Sequence, residues 1–350
     1  VTQASGVIPK GPDRAATIVA YSIFAATGVG LVLPGALLSQ LLARWSLDDQ
    51  QAGLLFFVFF LGSSAGALLA RGRLARAIAT GTFCIAASNF ALSFALRVTC
   101  FFAIALMGIG LGTAMTSISL LQSRRRPSTR TAEMARLNLI WAIGACVGPA
   151  LMLKAAAVWS LDTVLYSISI AFAVLALLAA GVLPQAKAFE PGFVQAPRRK
   201  HAARLPLLLL LIVPLATGME SSTGSWLAAY SRRSGLLLGG TISTVSFFWL
   251  GLLLARLLQS YRSVALASKN CAFRTGTWLA AVALLLLILG PEVTRNHLVI
   301  PISAFLVGFG LGPIYPLALS LLLGHGEAGN LPFLIAGVGS STLPLLTGIL

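Results

Sequence analysis

The chain has 350 residues, 57% of them hydrophobic and only 10% charged, a balance that excludes a soluble globular protein. Its net charge of +16 would suit a nucleic-acid partner, but the basic residues sit in short connectors without interleaved aromatics, so no nucleic acid is expected. The apolar residues come in runs near the roughly 20 needed to cross a hydrocarbon core as a helix, which predicts an all-α integral membrane protein seated in a lipid bilayer.

Taken in order, eleven spans are predicted, at 15–43, 51–70, 74–96, 98–122, 134–157, 161–183, 205–231, 239–260, 272–290, 297–323 and 330–350. The first residue is Val1 and not Met, which points to a fragment, a processed chain or another start codon, and no cleavable leader precedes the first span. With the N-terminus inside, nineteen Lys and Arg fall on the cytoplasmic side, against six outside: Arg44, Arg97, Lys154, Arg232, Arg233 and Arg295. The positive-inside rule therefore places the N-terminus in the cytoplasm and the protein in the cytoplasmic (inner) membrane. One long polar stretch, 184–204, divides a six-helix bundle over 1–183 from a five-helix bundle over 205–350. Its basic cluster reads first as a topology signal and second as a site for anionic headgroups.

The two halves repeat. Gly66 to Arg71 (GALLAR) is echoed by Gly251 to Arg256 (GLLLAR), and Gly108 to Gly112 (GIGLG) by Gly308 to Gly312 (GFGLG), each six spans apart. Two pseudo-repeated bundles sharing a site at the midplane are the architecture this predicts.

Among nine acidic residues, only Glu220 is expected deep within an apolar run, roughly 22 Å along its helix; the others fall in or beside breaks. An ionisable group at that depth reads as a functional site, with a solute or a proton as its partner. A protonated carboxyl acting as interhelical glue is the alternative. Cys84, Cys100, Cys146 and Cys271 are scattered and the three histidines lie near span ends, so neither a metal site nor a cofactor is expected. No Ser/His, Cys/His or paired-carboxylate set occurs at membrane depth, and no enzyme activity is expected.

The segments LPGALLSQLLARWSLDDQQAGLLFFVFFLGSSAGALLARGRLAR (33–76), NLIWAIGACVGP (138–149) and GFGLGPIYPLALSLL (308–322) resemble the first two spans, the fifth span and the tenth span of major facilitator superfamily transporters. ESSTGSWLAAY (220–230) is similar to the seventh span of their sugar-symporting, fucose permease-like branch. Departures are visible. Ala70 stands where the family's loop motif has Asp, Ile104 stands where proton-coupled members have Arg, the first and fourth spans lack acidic residues, and a twelfth span is missing. The resemblance implies a monomeric secondary transporter that moves a small polar or amphipathic solute, a sugar favoured, by rocking one bundle against the other.

Glu220 is the expected proton carrier and a substrate contact. Trp226, Trp141, Trp249 and Tyr315 would offer flat apolar faces with a polar edge, and Asn138 an amide. Trp226 points away from Glu220 unless the helix unwinds near Gly218 and Gly224. For each aromatic, helix packing is an equal reading, and interhelical hydrogen bonding is one for Asn138. Arg71, Arg73 and Arg256 are expected at cytoplasmic helix ends, as anchors or as a gating latch. A drug or metabolite exporter of the same fold, and a transport-inactive scaffold or fragment, are the rival readings.

Overall fold

Hydrocarbon offers backbone amides and carbonyls no partner but one another, so apolar runs of this length close their hydrogen bonds within themselves as helices. The computed structural model describes residues 12–125, 130–185, 207–235, 244–262, 268–324 and 331–350. Thirteen α-helices lie among them: α1 (Pro12–Ala36), α2 (Leu38–Trp45), α3 (Asp49–Leu69), α4 (Leu74–Ser93), α5 (Thr99–Arg125), α6 (Arg130–Val158), α7 (Leu161–Val182), α8 (Leu207–Arg233), α9 (Thr244–Arg262), α10 (Ser268–Thr294), α11 (Val299–Leu311), α12 (Ile314–Gly324) and α13 (Leu331–Ile349).

Every predicted span contains a helix, and two of them are broken. The first divides into α1 and α2 around Leu37, and the tenth into α11 and α12 at Gly312 and Pro313. By length and composition, eight helical segments among the described residues qualify as membrane spans. The helices α4, α8 and α9 coincide with predicted spans without meeting that measure. The linker expected at 184–204 lies, from residue 186 onward, outside the described residues.

Packing repeats between the halves. In the first, α3 and α4 pack on α5, and α1 packs on α6; in the second, α9 and α10 pack on α11, and α8 packs on α13. Glycines make the close approaches. A Cβ on Gly108 would stand 1.9 Å from the carbonyl oxygen of Phe59, and one on Gly308 would stand 2.0 Å from that of Phe248. Small residues at such crossings let membrane helices touch backbone to backbone.

These contacts correct the register of one sequence repeat. Gly62 abuts the carbonyl of Ala105, and Gly251 abuts that of Phe305. The GIGLG and GFGLG motifs pair residue 105 with residue 305, so the counterpart of Gly251 is Gly62 and not Gly66. The matched strings GALLAR and GLLLAR are one helical turn out of step. Arg71 therefore lies beyond the end of α3, whereas Arg256, the counterpart of Ala67, lies one turn deeper inside its helix. The halves meet where α6 packs on α9, α3 on α13 and α1 on α8.

Candidate functional site

Helix α8 runs unbroken from Leu207 to Arg233, so Gly218 and Gly224 do not unwind it. Glu220 keeps its place on the α8 face turned to α9, and there it meets Arg256. One guanidinium nitrogen, Nη2, donates to both carboxylate oxygens, at 3.0 Å to Oε2 and 3.3 Å to Oε1. The Arg256 side chain is 1% exposed and that of Glu220 12%. Arg256 was expected as an anchor at a cytoplasmic helix end; its burial overturns that placement, for the reason of register given above.

Two further contacts hold the guanidinium. Its Nε donates to the carbonyl of Gly312 at 3.3 Å. In a continuous helix that carbonyl would accept from the amide of residue 316, but residue 316 is proline and has no N–H. Pro316 thus frees an acceptor for Arg256. The guanidinium also lies over the Trp141 ring, 4.9 Å from its centroid, a cation–π contact strengthened by desolvation.

Trp141, on α6, meets Trp249, on α9, edge to face at 5.5 Å between centroids. Gly224 makes room for this: a Cβ there would stand 2.7 Å from Cζ2 of Trp249. Tyr315, partly buried on α12, is an electrostatic neighbour of both Glu220 and Arg256. The cluster therefore joins α6 of the first half to α8, α9 and α12 of the second.

Three buried donors in it have no acceptor among the described residues: Nη1 of Arg256 and the indole nitrogens of Trp141 and Trp249. Carrying the ion pair on Nη2 alone is what leaves Nη1 free. One turn beyond Arg256, Gln259 donates to the carbonyl of Pro313 at 3.5 Å, and its own amide oxygen has no partner among the described residues.

The other expected residues fall elsewhere. Trp226 donates to the carbonyl of Pro344 at 2.9 Å and packs edge-on against Phe56 at 5.9 Å, away from Glu220. Asn138 sits on α6 one turn before Trp141, but its amide donates to Met134 of its own helix at 2.8 Å. Arg71 and Arg73 are exposed around Gly72, which adopts a left-handed φ of 68° in the turn between α3 and α4. With Arg76 they line an open groove of about 480 Å³ between α3, α4 and α5, which shares no residue with the Glu220 cluster.

Glu220 is also not the most buried carboxylate. Glu133, on the first turn of α6, has a side chain 0% exposed. It accepts from Tyr21 at 2.9 Å and from Arg136 at 2.8 Å. Its sequence context, TRTAEMARLN, is polar enough to read as a solvated helix start. The missed signal was Tyr21, a hydroxyl on the apolar first span with nothing nearby in sequence to bond. For Arg256 the one signal, an arginine four residues inside the predicted end of its span, was hidden by the match of GLLLAR to GALLAR.

No group of three or more His, Cys, Asp or Glu side chains gathers among the described residues. The four cysteines are free thiols. The sequence profile of the Major Facilitator Superfamily matches residues 15–342.

The chain belongs to the Major Facilitator Superfamily. It is an all-helical, multi-pass membrane protein of a family of transporters of small solutes, built as that family's two pseudo-repeated bundles. Among solved structures, the human organic anion transporter MFSD10 (TETRAN) superposes with a TM-score of 0.74 at 15% identity, over 97% of this chain and 94% of that one. A bacterial homologue of the human lysosomal transporter Spinster, in an inward-facing and occupied conformation, superposes with a TM-score of 0.67 at 13% identity, over 97% of this chain and 82% of that one. At these identities the likeness is one of fold. A search among curated protein sequences finds no match.

Proposed function

We propose that this protein is a proton-coupled secondary transporter of the cytoplasmic membrane, with its N-terminus inside, and that Glu220 carries the proton. It acts as a monomer and moves a small polar or amphipathic solute by rocking its six-helix bundle over 1–183 against the bundle over 205–350. The observation that carries this reading is the Glu220–Arg256 pair, buried beside the seam between α6 and α9. An ion pair at membrane depth is costly to make and costly to break. A carboxylate that can trade its arginine for a proton ties protonation to the arrangement of the helices around it.

The solute contacts in this reading are Glu220, Arg256, Trp141, Trp249 and Tyr315. A sugar is the substrate class favoured by the seventh-span resemblance to fucose permease-like symporters. Trp226, which that resemblance would bring to the solute, is bonded to Pro344 instead, so the sugar reading rests on the sequence pattern alone.

The test is flux through proteoliposomes. Purified protein is reconstituted with an acidic exterior, and uptake of a panel of labelled small solutes is compared with that of Glu220→Gln. Gradient-driven uptake in the parent, lost in the variant while solute exchange survives, is the expected result. Equal gradient-driven uptake in both would remove Glu220 from the coupling.

A further inference from the structure

We infer that the solute is a small organic anion, and that its acidic group takes Glu220's place at Arg256 while Glu220 takes a proton. This deepens the proposal above and rests on its reading of Glu220 as proton carrier. It starts from an imbalance of hydrogen-bonding groups. Nη1 of Arg256, Nε1 of Trp141 and Nε1 of Trp249 are donors, are buried and have no acceptor among the described residues. An unmet buried donor is expensive, and three in one run of contacting side chains, the guanidinium on Trp141 and Trp141 on Trp249, call for a ligand rich in acceptors. A carboxylate or sulfonate offers several lone pairs on adjacent oxygens and no donor. A neutral sugar brings a hydroxyl donor with each acceptor, and further donors are what this cluster does not need.

Charge arithmetic points the same way. With nothing bound, Glu220 and Arg256 cancel. Adding an anion leaves one negative charge uncompensated at membrane depth, which costs several kcal/mol. Protonating Glu220 restores neutrality, since Arg256 then pairs with the anion. Both the empty and the loaded site are neutral when one proton accompanies one monoanion. Both can change exposure at low cost, and the anion without its proton cannot.

The groups that face Glu220 fit this count. Among the described residues, Arg256 of α9 and Tyr315 of α12 are its charged and titratable neighbours. Helices α11 and α13 carry no titratable side chain, and Tyr21 of α1 donates to Glu133. On α8 itself the other titratable groups are Tyr230, Arg232 and Arg233, at the far end of the helix.

The site also straddles the seam. Trp141 comes from the first half, and Trp249 and Arg256 from the second. In this structure Trp141 seals the guanidinium, so parting α6 from α9 is what opens Nη1 and both indole nitrogens to a solute. Binding is thereby coupled to the rocking motion.

The experiment measures binding to the full chain in nanodiscs, by tryptophan fluorescence, for gluconate, nicotinate and benzenesulfonate against galactose, nicotinamide and benzenesulfonamide. Proton uptake on binding is read with an indicator dye in weakly buffered solution. The expected result is binding of one or more anions at least tenfold tighter than of their neutral partners, with about one proton taken up per anion. In Glu220→Gln, which keeps Arg256, anion binding persists without proton uptake. In the double variant Glu220→Gln/Arg256→Gln, which leaves no buried charge to unfold the protein, anion binding is lost. Trp141→Phe keeps an aromatic face and removes one donor, and weakens the anion about tenfold, the equivalent of roughly 1.4 kcal/mol.

Neutral solutes binding as tightly as the anions, no anion binding, or anion binding unchanged in the double variant would each overturn the inference. The two proposals fail separately. Glu220-dependent uptake of a neutral solute would leave proton coupling standing and remove the anion. Anion binding without gradient-driven flux would do the reverse.

Discussion

At the scale of single residues, the pair of Glu220 and Arg256 governs both stability and function. Removing one member of a buried pair strands the other charge, which costs about 3–5 kcal/mol, whereas replacing both by neutral groups is often close to neutral. Arg256→Gln alone is therefore expected to lower the melting temperature sharply in detergent, and the double variant Glu220→Gln/Arg256→Gln to recover most of the loss. Losses that simply add in the double-mutant cycle would show that the two side chains do not act as a pair. Half of this pair was legible in the sequence. Glu220 announces itself as a carboxylate in the middle of an apolar stretch. Arg256 does not, because GLLLAR looks like GALLAR, and Arg71 ends a helix. Trp226 misled in a different way. Its partner is the carbonyl of Pro344, distant in sequence, and no local pattern in ESSTGSWLAAY shows whether an indole nitrogen is already engaged.

At the scale of helices, glycine spacing gave away more than the strings around it. GIGLG and GFGLG occupy equivalent crossings on α5 and α11, because backbone contact at Gly108 and Gly308 tolerates no side chain, and that constraint survives divergence of the neighbours. The leucines and alanines of GALLAR and GLLLAR are abundant in both halves, so a match among them slips by a turn unnoticed. This yields a paired prediction. Gly108→Ala and Gly308→Ala each force a methyl group to within about 2 Å of a carbonyl oxygen, so the helices must part, an overpacking worth about 1–3 kcal/mol. The two substitutions should lower the melting temperature by similar amounts. Gly181→Ala, where a Cβ meets nothing within 4 Å, is the control and should leave it unchanged or slightly raised. A drop for one repeat and not the other would mean that the halves do not carry load alike. Pro313 and Pro316 mark a bend in the tenth span from the sequence alone. That Pro316 frees the Gly312 carbonyl for a side chain on another helix needed the three-dimensional neighbourhood.

At the scale of the whole molecule, the two halves are joined at the end opposite Arg71 and Arg73. Arg233 of α8 pairs with Asp49 of α3, and Arg232 donates to Ser39 of α2 at 2.9 Å. Beneath them Trp226 packs on Phe56, and Gly35 of α1 lies against the backbone of Ser225. The sequence counted these arginines on the outer side and set Asp49 beside a break between spans; that they bridge the halves is a property of the folded arrangement. Arg233 and Asp49 are 60% and 41% exposed, so the pair is worth about 1 kcal/mol or less. A two-state rocking equilibrium needs no more than that for regulation, since 1 kcal/mol changes a population ratio about fivefold. The reporter is a cysteine at Ser225, which is buried at this seam, in a background with the four native cysteines replaced by alanine. A membrane-impermeant maleimide is added from the Asp49 side. Asp49→Asn should speed labelling by up to about fivefold, and the charge exchange Asp49→Arg/Arg233→Asp should return it toward the parent rate. Labelling that ignores both changes would assign the closure to the apolar seal of Trp226 and Phe56. In that case Phe56→Ala, which removes the face Trp226 rests on, should open the same side to the reagent while the ion pair stays in place.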